Sequence, residues 1–145
     1  MRVVVDTNVA VSGLLWDGPP NDILKRARDG FVVLVACQES VKELQRILQY
    51  KRFQARLSML GMSADEVSAY YMNLVRFVPN PKEVPKVIRE DPFDNLFLAL
   101  ASEGKAQLVV TGDHHLLRLG RHMEIEIVTP HEACKVIETL ITEKR

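Results

Sequence analysis

Long apolar runs are missing from this chain. No stretch of its 145 residues approaches the ~18 to 20 consecutive apolar residues that cross a bilayer, which excludes a membrane-spanning helix. Met1-Arg2 leads straight into a β-branched run instead of a secretory leader, so the expectation is a cytoplasmic protein. Cysteine is scarce as well. Cys37 and Cys134 lie in apolar sequence with neither Cys-x-x-Cys spacing nor a His at zinc-finger intervals. A disulfide framework is excluded, and the pair reads as inert core thiols in a reducing compartment. Charge of one sign is absent too: 19 Lys and Arg balance 19 Asp and Glu, so any case for a nucleic-acid partner has to come from local patches. Gly112 has no Gly-rich motif around it and reads as a tight turn, not a phosphate cradle. What is present is an ordinary globular balance of 47% apolar and 26% charged residues. It predicts one domain over residues 1–145, with a core large enough to hold the fold without staples.

Strand and helix patterns alternate. Arg2-Val3-Val4-Val5 is a continuous β-branched run closing on Asp6, the pattern of a strand covered on both faces in a parallel sheet. Asn21 predicts a helix cap, with the helix running to about Asp29 and stopped by Gly30; Phe31 to Ala36 reads as a second strand. Ser40-Val41-Lys42-Glu43 matches a capping box and is followed by apolar residues at helical spacing to about Gln49. Phe53, Leu57 and Leu60 mark a short helix ended by Gly61, and Ser63-Ala64-Asp65-Glu66 is a second capping box opening a helix to about Leu74. Together these predict a helical hairpin at about residues 39–75. Val75 to Val78 reads as a third strand, stopped by Pro79, Pro81 and Pro85. A helix from about Asn95 to Glu103, a strand from Gln107 to Thr111, a short helix through Leu116 and Leu119, a strand from Ile125 to Val128 and a helix capped by Thr129 complete the pattern. Such alternation implies a mostly parallel sheet with helices on both faces.

Open parallel sheets bind ligands beyond the carboxyl ends of their strands, where strand order reverses. Asp6 and Asp113 both follow strand ends. Two carboxylates at one sheet edge repel each other unless a cation lies between them, and a hard divalent ion meets that need. Asp94, at a helix start, reads either as a helix cap or as a third acid of the same crevice. Glu43 reads either as the acid of the capping box begun by Ser40 or as a fourth. Their convergence on one crevice carries more weight than any single position. Oxygen-rich octahedral coordination suits magnesium or manganese and requires no His.

The run Val3-Val4-Val5-Asp6-Thr7-Asn8, the helical Glu43, the stretch Asp91-Pro92-Phe93-Asp94-Asn95 before Leu98-Ala99-Leu100-Ala101, and Val110-Thr111-Gly112-Asp113 together resemble the PIN-domain ribonucleases. The resemblance spans essentially the whole chain and is greatest with the VapC-like branch, the toxin components of toxin-antitoxin pairs. It implies a three-layer α/β/α fold with a central parallel sheet of about five strands, and an acidic pocket that binds Mg2+ or Mn2+ for RNA hydrolysis. Residue by residue, Asp6, Glu43, Asp94 and Asp113 match the family's catalytic acids, with Asp6, Asp94 and Asp113 as metal ligands and Glu43 and Asp91 as further candidates. Asn8, Ser12 and Thr111 match its polar supports. The resemblance also implies an antitoxin partner and a homodimer, and the apolar faces around Phe53, Leu57 and Leu60 offer a dimer surface.

Basic residues cluster beside Glu43. Lys42, Arg46, Lys51 and Arg52, with Arg56, could guide an RNA backbone or form a solvated helix face. Arg118, Arg121 and His122 make a second patch, and His114 and His115 follow Asp113 as substrate contacts or plain loop residues. Trp16 and Tyr50 could stack on bases, although with 6% aromatic residues packing is the plainer reading for both. Three functions follow: an Mg/Mn-dependent endoribonuclease acting as a toxin, a catalytically silent RNA- or protein-binding module, and a phosphotransfer domain with Asp6 as nucleophile. The last lacks an Asp-x-Asp pair, since the residue two after Asp6 is Asn8.

Overall fold

Short β-branched runs form the sheet, and the helices between them fold back over its two faces. In the computed structural model, which describes residues 1–143, the chain runs β1 (Arg2–Val5), α1 (Thr7–Leu15), α2 (Pro19–Arg28), β2 (Val33–Ala36), α3 (Gln38–Leu48), α4 (Lys51–Leu60), α5 (Ala64–Leu74) and β3 (Arg76–Phe77). It continues through α6 (Pro92–Glu103), β4 (Leu108–Val110), α7 (His114–Leu117), β5 (Arg121–His122), β6 (Ile125–Val128) and α8 (Pro130–Glu143). The six strands are ordered β3-β2-β1-β4-β6-β5. All pairings are parallel except that of β5 with β6. Side chains alternate across the strands, so Val3 and Val5 enter one core with Leu15, Leu44, Tyr71 and Ile137, while Val4 enters the other with Leu98, Leu100 and Leu116. This is the expected three-layer architecture. No helix among the described residues is long and apolar enough to cross a membrane.

The structure departs from the sequence pattern at several places. A sixth strand exists: Arg121 and His122 form β5, a two-residue antiparallel edge that apolar alternation could not reveal. Helix α1 was not legible as a helix, because Thr7–Leu15 carries apolar residues on nearly all sides instead of an amphipathic stripe. Asn21 is no cap; α2 begins at Pro19 after Gly18, whose φ of 126° suits glycine, and the Asn21 amide Nδ2 donates to the Gly13 carbonyl at 2.8 Å. The helical segment expected at about residues 39–75 is present as the three expected helices, α3, α4 and α5. Its apolar face is largely absorbed by the chain's own core, with Leu57 buried and Phe53 packed against it, so only Leu60 remains exposed of the three residues offered as a dimer surface.

Helices α1 and α2 cross closely at Gly13. A Cβ on Gly13 would lie 2.8 Å from the Pro20 carbonyl oxygen and 2.9 Å from Leu24 Cδ1, so α2 would have to move away. Gly13→Ala is expected to destabilise the protein by roughly 1–3 kcal/mol, read as a lower midpoint in urea unfolding with unchanged slope.

Candidate functional site

The strand order reverses between β1 and β4, and the chain leaves both strands on acidic residues. Asp6 follows β1 and caps α1, its Oδ1 accepting from the Val9 amide at 2.8 Å. Asp113 lies three residues beyond β4 and caps α7, its Oδ1 accepting from the His115 amide at 2.8 Å. Thr111 ties the two together: its hydroxyl donates to Asp6 Oδ2 and accepts from the Asp113 amide at 2.9 Å. From across the crevice, α6 presents its first turn. Asp91 is the cap there, accepting from the Phe93 amide at 2.9 Å, which frees Asp94 from that duty. Asp94 Oδ2 is buried with no hydrogen-bond partner, and so is Thr7 Oγ1.

These groups enclose a cavity of about 230 Å³ lined by Asp6, Asn8, Glu43, Asp91, Asp94 and Asp113 among others. Burial is the main reason two of these carboxyls, Asp6 and Asp94, bind a proton more tightly than an ordinary carboxylate. Asp6 is pushed up to about 6 by burial, opposed by the Thr111 and Val9 hydrogen bonds and reinforced by Asp113 and Asp91. Asp94 is pushed up to about 7 by burial and then by Asp113, Asp91 and Asp6. Burial, with Asp6 next, also raises the Tyr71 phenol, which reaches toward Asp6 from α5.

Glu43 has a different role from the one its sequence pattern implied. Helix α3 begins at Gln38, and Ser40 is its third residue; the Ser40 hydroxyl accepts from the Cys37 amide at 3.0 Å and donates to the Cys37 carbonyl at 2.9 Å. Glu43 therefore closes no capping box. Both its oxygens are held by Arg46, at 3.0 Å from Nε and 2.6 Å from Nη2, and Arg46 Nη1 also donates to the Tyr50 hydroxyl at 2.5 Å.

The remaining candidates divide. Asn8, Arg46 and Arg52 line the cavity with the acids, whereas Ser12, Lys42 and Lys51 do not. Ser12 is half-buried on α1 outside that lining, and Lys42 and Lys51 are exposed on α3 and α4. His115 is turned to Arg118, 2.9 Å from its Nη2, and to Glu90, 3.5 Å away. Arg121 is paired with Glu126, so the second basic patch is largely neutralised by acids. Sequence reasoning missed Thr7, whose signal was the Asp-Thr-Asn run itself, and it missed the structural task of Asn95. The Asn95 amide accepts from Val87 and Ile88 at 3.0 and 2.8 Å and donates to the Ile88 carbonyl at 2.6 Å. That clamp holds the loop leading to Asp91 against α6.

A family model of the PIN domain matches residues 2–115. The chain belongs to the PIN-domain family. Among solved structures, this PIN domain is similar to VapBC2 from Rickettsia felis, determined bound to a DNA fragment from their promoter. That match has 13% identity over 88% of this chain and 97% of that one, with a TM-score of 0.58. It is also similar to VapC20 of Mycobacterium tuberculosis, described as a sarcin-ricin loop cleaving toxin, at 15% identity over 86% of this chain and 98% of that one, with a TM-score of 0.53. At these identities the likeness is one of fold. A search of curated proteins returns no match.

The acidic groups of this PIN domain fit a hard divalent ion. Among the described residues no three His, Cys, Asp or Glu side chains come together in an arrangement that could hold a metal ion by themselves. An open, oxygen-lined cavity is nevertheless what a cation that keeps several waters requires. The unpartnered Asp94 and Thr7 oxygens supply vacant lone pairs there, and a cation would relieve the mutual repulsion that raises Asp6 and Asp94.

Proposed function

We propose that this PIN domain is an endoribonuclease that hydrolyses RNA phosphodiester bonds with Mg2+ or Mn2+, acting as one domain in the cytoplasm as the toxin of a type II toxin-antitoxin pair. The observation that carries the reading is the buried, unpartnered Asp94 Oδ2 facing the same cavity as Asp6 and Asp113 at the switch point of the sheet. Asp6, Asp94 and Asp113 would hold the ion, with Asp91 as a further acid at the rim and Asn8 beside them. Bound there, a divalent ion would neutralise charge on the phosphate and lower the proton affinity of a water. Thr111 keeps Asp6 oriented and its charge partly compensated, which also makes Asp6 a poor nucleophile for phosphotransfer. Glu43 is the base: its carboxylate accepts the proton of the attacking water once Arg46 is drawn from it toward a phosphate. The RNA-cleaving description of VapC20 supports this choice of substrate, and the VapBC2 likeness supports an antitoxin partner. A homodimer completes the reading, and sedimentation that finds only monomer at micromolar concentration removes it.

Purified protein incubated with total cellular RNA is expected to cut it in millimolar Mg2+ or Mn2+ and to stop in chelator. Cleavage indifferent to chelator overturns the metal role. Intact RNA in the presence of bound metal favours the silent binding module instead.

A further inference from the structure

Arginines and aromatic rings alternate along the surface that leads away from the acidic cavity. Arg46 and Arg52 line the cavity, and each places its guanidinium 5.5 Å from the centre of the Tyr50 ring. Arg52 is also 4.8 Å from the centre of Phe53, Phe53 meets Trp16 edge to face at 6.2 Å, and Arg56 lies over Trp16 at 5.7 Å. The strip is continuous from the cavity to the end of α1. It is also open, with Trp16 41% and Tyr50 36% exposed. Among the described residues Arg46 is paired with Glu43, but neither Arg52 nor Arg56 has a carboxylate partner, and the first turn of α4 carries no acid. Arg56 is anchored by donating from Nε to the Leu15 carbonyl at 2.6 Å, which fixes its guanidinium beside the indole.

Two chemistries are thus interleaved at short range. Guanidinium groups without carboxylate partners attract a polyanion, and exposed rings offer faces on which flat unsaturated groups stack. A double helix keeps its bases stacked on each other and uses only the first; an acidic peptide likewise leaves the ring faces unused. A single strand, with its bases free, uses both.

We propose that Tyr50 and Trp16, with Arg46, Arg52 and Arg56 between and beside them, form a stacking track that seats single-stranded RNA and leads it into the acidic cavity. The proposal deepens the nuclease reading and rests on it for what happens to the strand, but binding to the track needs neither metal nor cleavage. Rings hold successive bases, Arg52 and Arg56 take the intervening phosphates, and Arg46 stands where the strand meets Glu43.

Trp16 is the only tryptophan in the chain, so its fluorescence reports on the far end of the track directly. The full-length protein in chelator is titrated with a short single-stranded oligoadenylate, with the corresponding duplex RNA and with polyglutamate. Affinities for the labelled oligoadenylate are measured in parallel by anisotropy. Saturable quenching of Trp16 by the single strand is expected, with the duplex at least about tenfold weaker. Tyr50→Ala is expected to weaken single-strand binding roughly 5- to 100-fold, while Tyr50→Phe, which keeps the ring and loses the hydroxyl bonded to Arg46, restores it to near the native value. Both side chains lie at the surface, and an unchanged melting temperature separates lost stacking from lost fold. Equal binding of duplex and single strand, or a native affinity in Tyr50→Ala, overturns the track. Quenching by polyglutamate in place of RNA overturns it in favour of a protein-docking strip. The two readings fail separately: oligoadenylate that quenches Trp16 in a protein that never cuts RNA keeps the track and removes the nuclease, and metal-dependent cutting without quenching does the reverse.

Discussion

Replacing Asp94 with Asn is expected to do two opposite things: to cut metal-dependent RNA cleavage by at least about 100-fold and to raise the melting temperature of the metal-free protein. The first effect follows from removing a charged oxygen at the centre of the cavity, where even indirect partners of a bound metal typically matter 10- to 100-fold. The second follows from burial. Asp94 is pushed up to about 7 because its anion is desolvated and faces Asp113, Asp91 and Asp6, so at pH 7.5 much of that unfavourable charge is present in the folded chain. An amide of the same shape removes it. The gain is expected to be roughly 2 kcal/mol, or about 4–8 °C for a chain of this size. Calorimetry in chelator at pH 7.5, followed by addition of Mn2+, checks both halves. Native protein should rise in melting temperature with Mn2+ and the variant should respond little. A variant less stable than the native chain in chelator would mean that Asp94 holds the fold together and is not kept at its expense.

The second large effect is on pH. The stability of the metal-free protein is expected to fall between about pH 5 and pH 8 and to fall much less when Mg2+ or Mn2+ is present. Both Asp6 and Asp94 have folded values above the ordinary carboxylate value, at about 6 and about 7. The folded chain therefore holds protons that the unfolded chain has already released at about 4. Their stabilising contribution is complete below pH 4 and is lost as the pH rises through 6 and 7. For the two groups together the loss amounts to roughly 4–7 kcal/mol by pH 8, the lower figure allowing for solvent relaxation around the buried charges. The informative quantity is the difference between native protein and the Asp6→Asn, Asp94→Asn double variant in urea unfolding. Parallel pH profiles for the two proteins would show that neither carboxyl holds its proton in the folded state.

The acids of the cavity were legible in the sequence because each sits at a junction that local chemistry marks. Asp6, Asp91 and Asp113 are helix caps, Asp6 and Asp113 just beyond strand ends and Asp91 at the end of a loop, and caps are among the most local of signals. The same locality left Glu43 ambiguous between a capping box and the crevice. Ser40-x-x-Glu43 satisfies the capping-box pattern, yet β2 ends at Ala36 and the chain turns at Cys37, so the helix starts before Ser40 and turns Glu43 inward instead. Asp94 was ambiguous between cap and crevice for a similar reason, and its neighbour Asp91 settled it by taking the cap. Where a helix begins depends on how long the preceding strand pairs, and pairing is made by residues distant in sequence.

By itself the sequence determined the alternation of elements, the two-faced burial of Val3, Val4 and Val5, and the acidic residues available at the strand ends, since all of these follow from neighbours within a few positions. Only the tertiary structure decided which of those acids share one cavity, that Arg46 grips Glu43, that Asn95 clamps the loop before Asp91, and that Trp16 from α1 meets Phe53 and Arg56 from α4. Each of these joins side chains from elements, or from opposite ends of a loop, that meet only once the sheet is ordered β3-β2-β1-β4-β6-β5 and the helices have closed over it. Short-range propensities select the pieces, and long-range burial of apolar faces brings the pieces into contact.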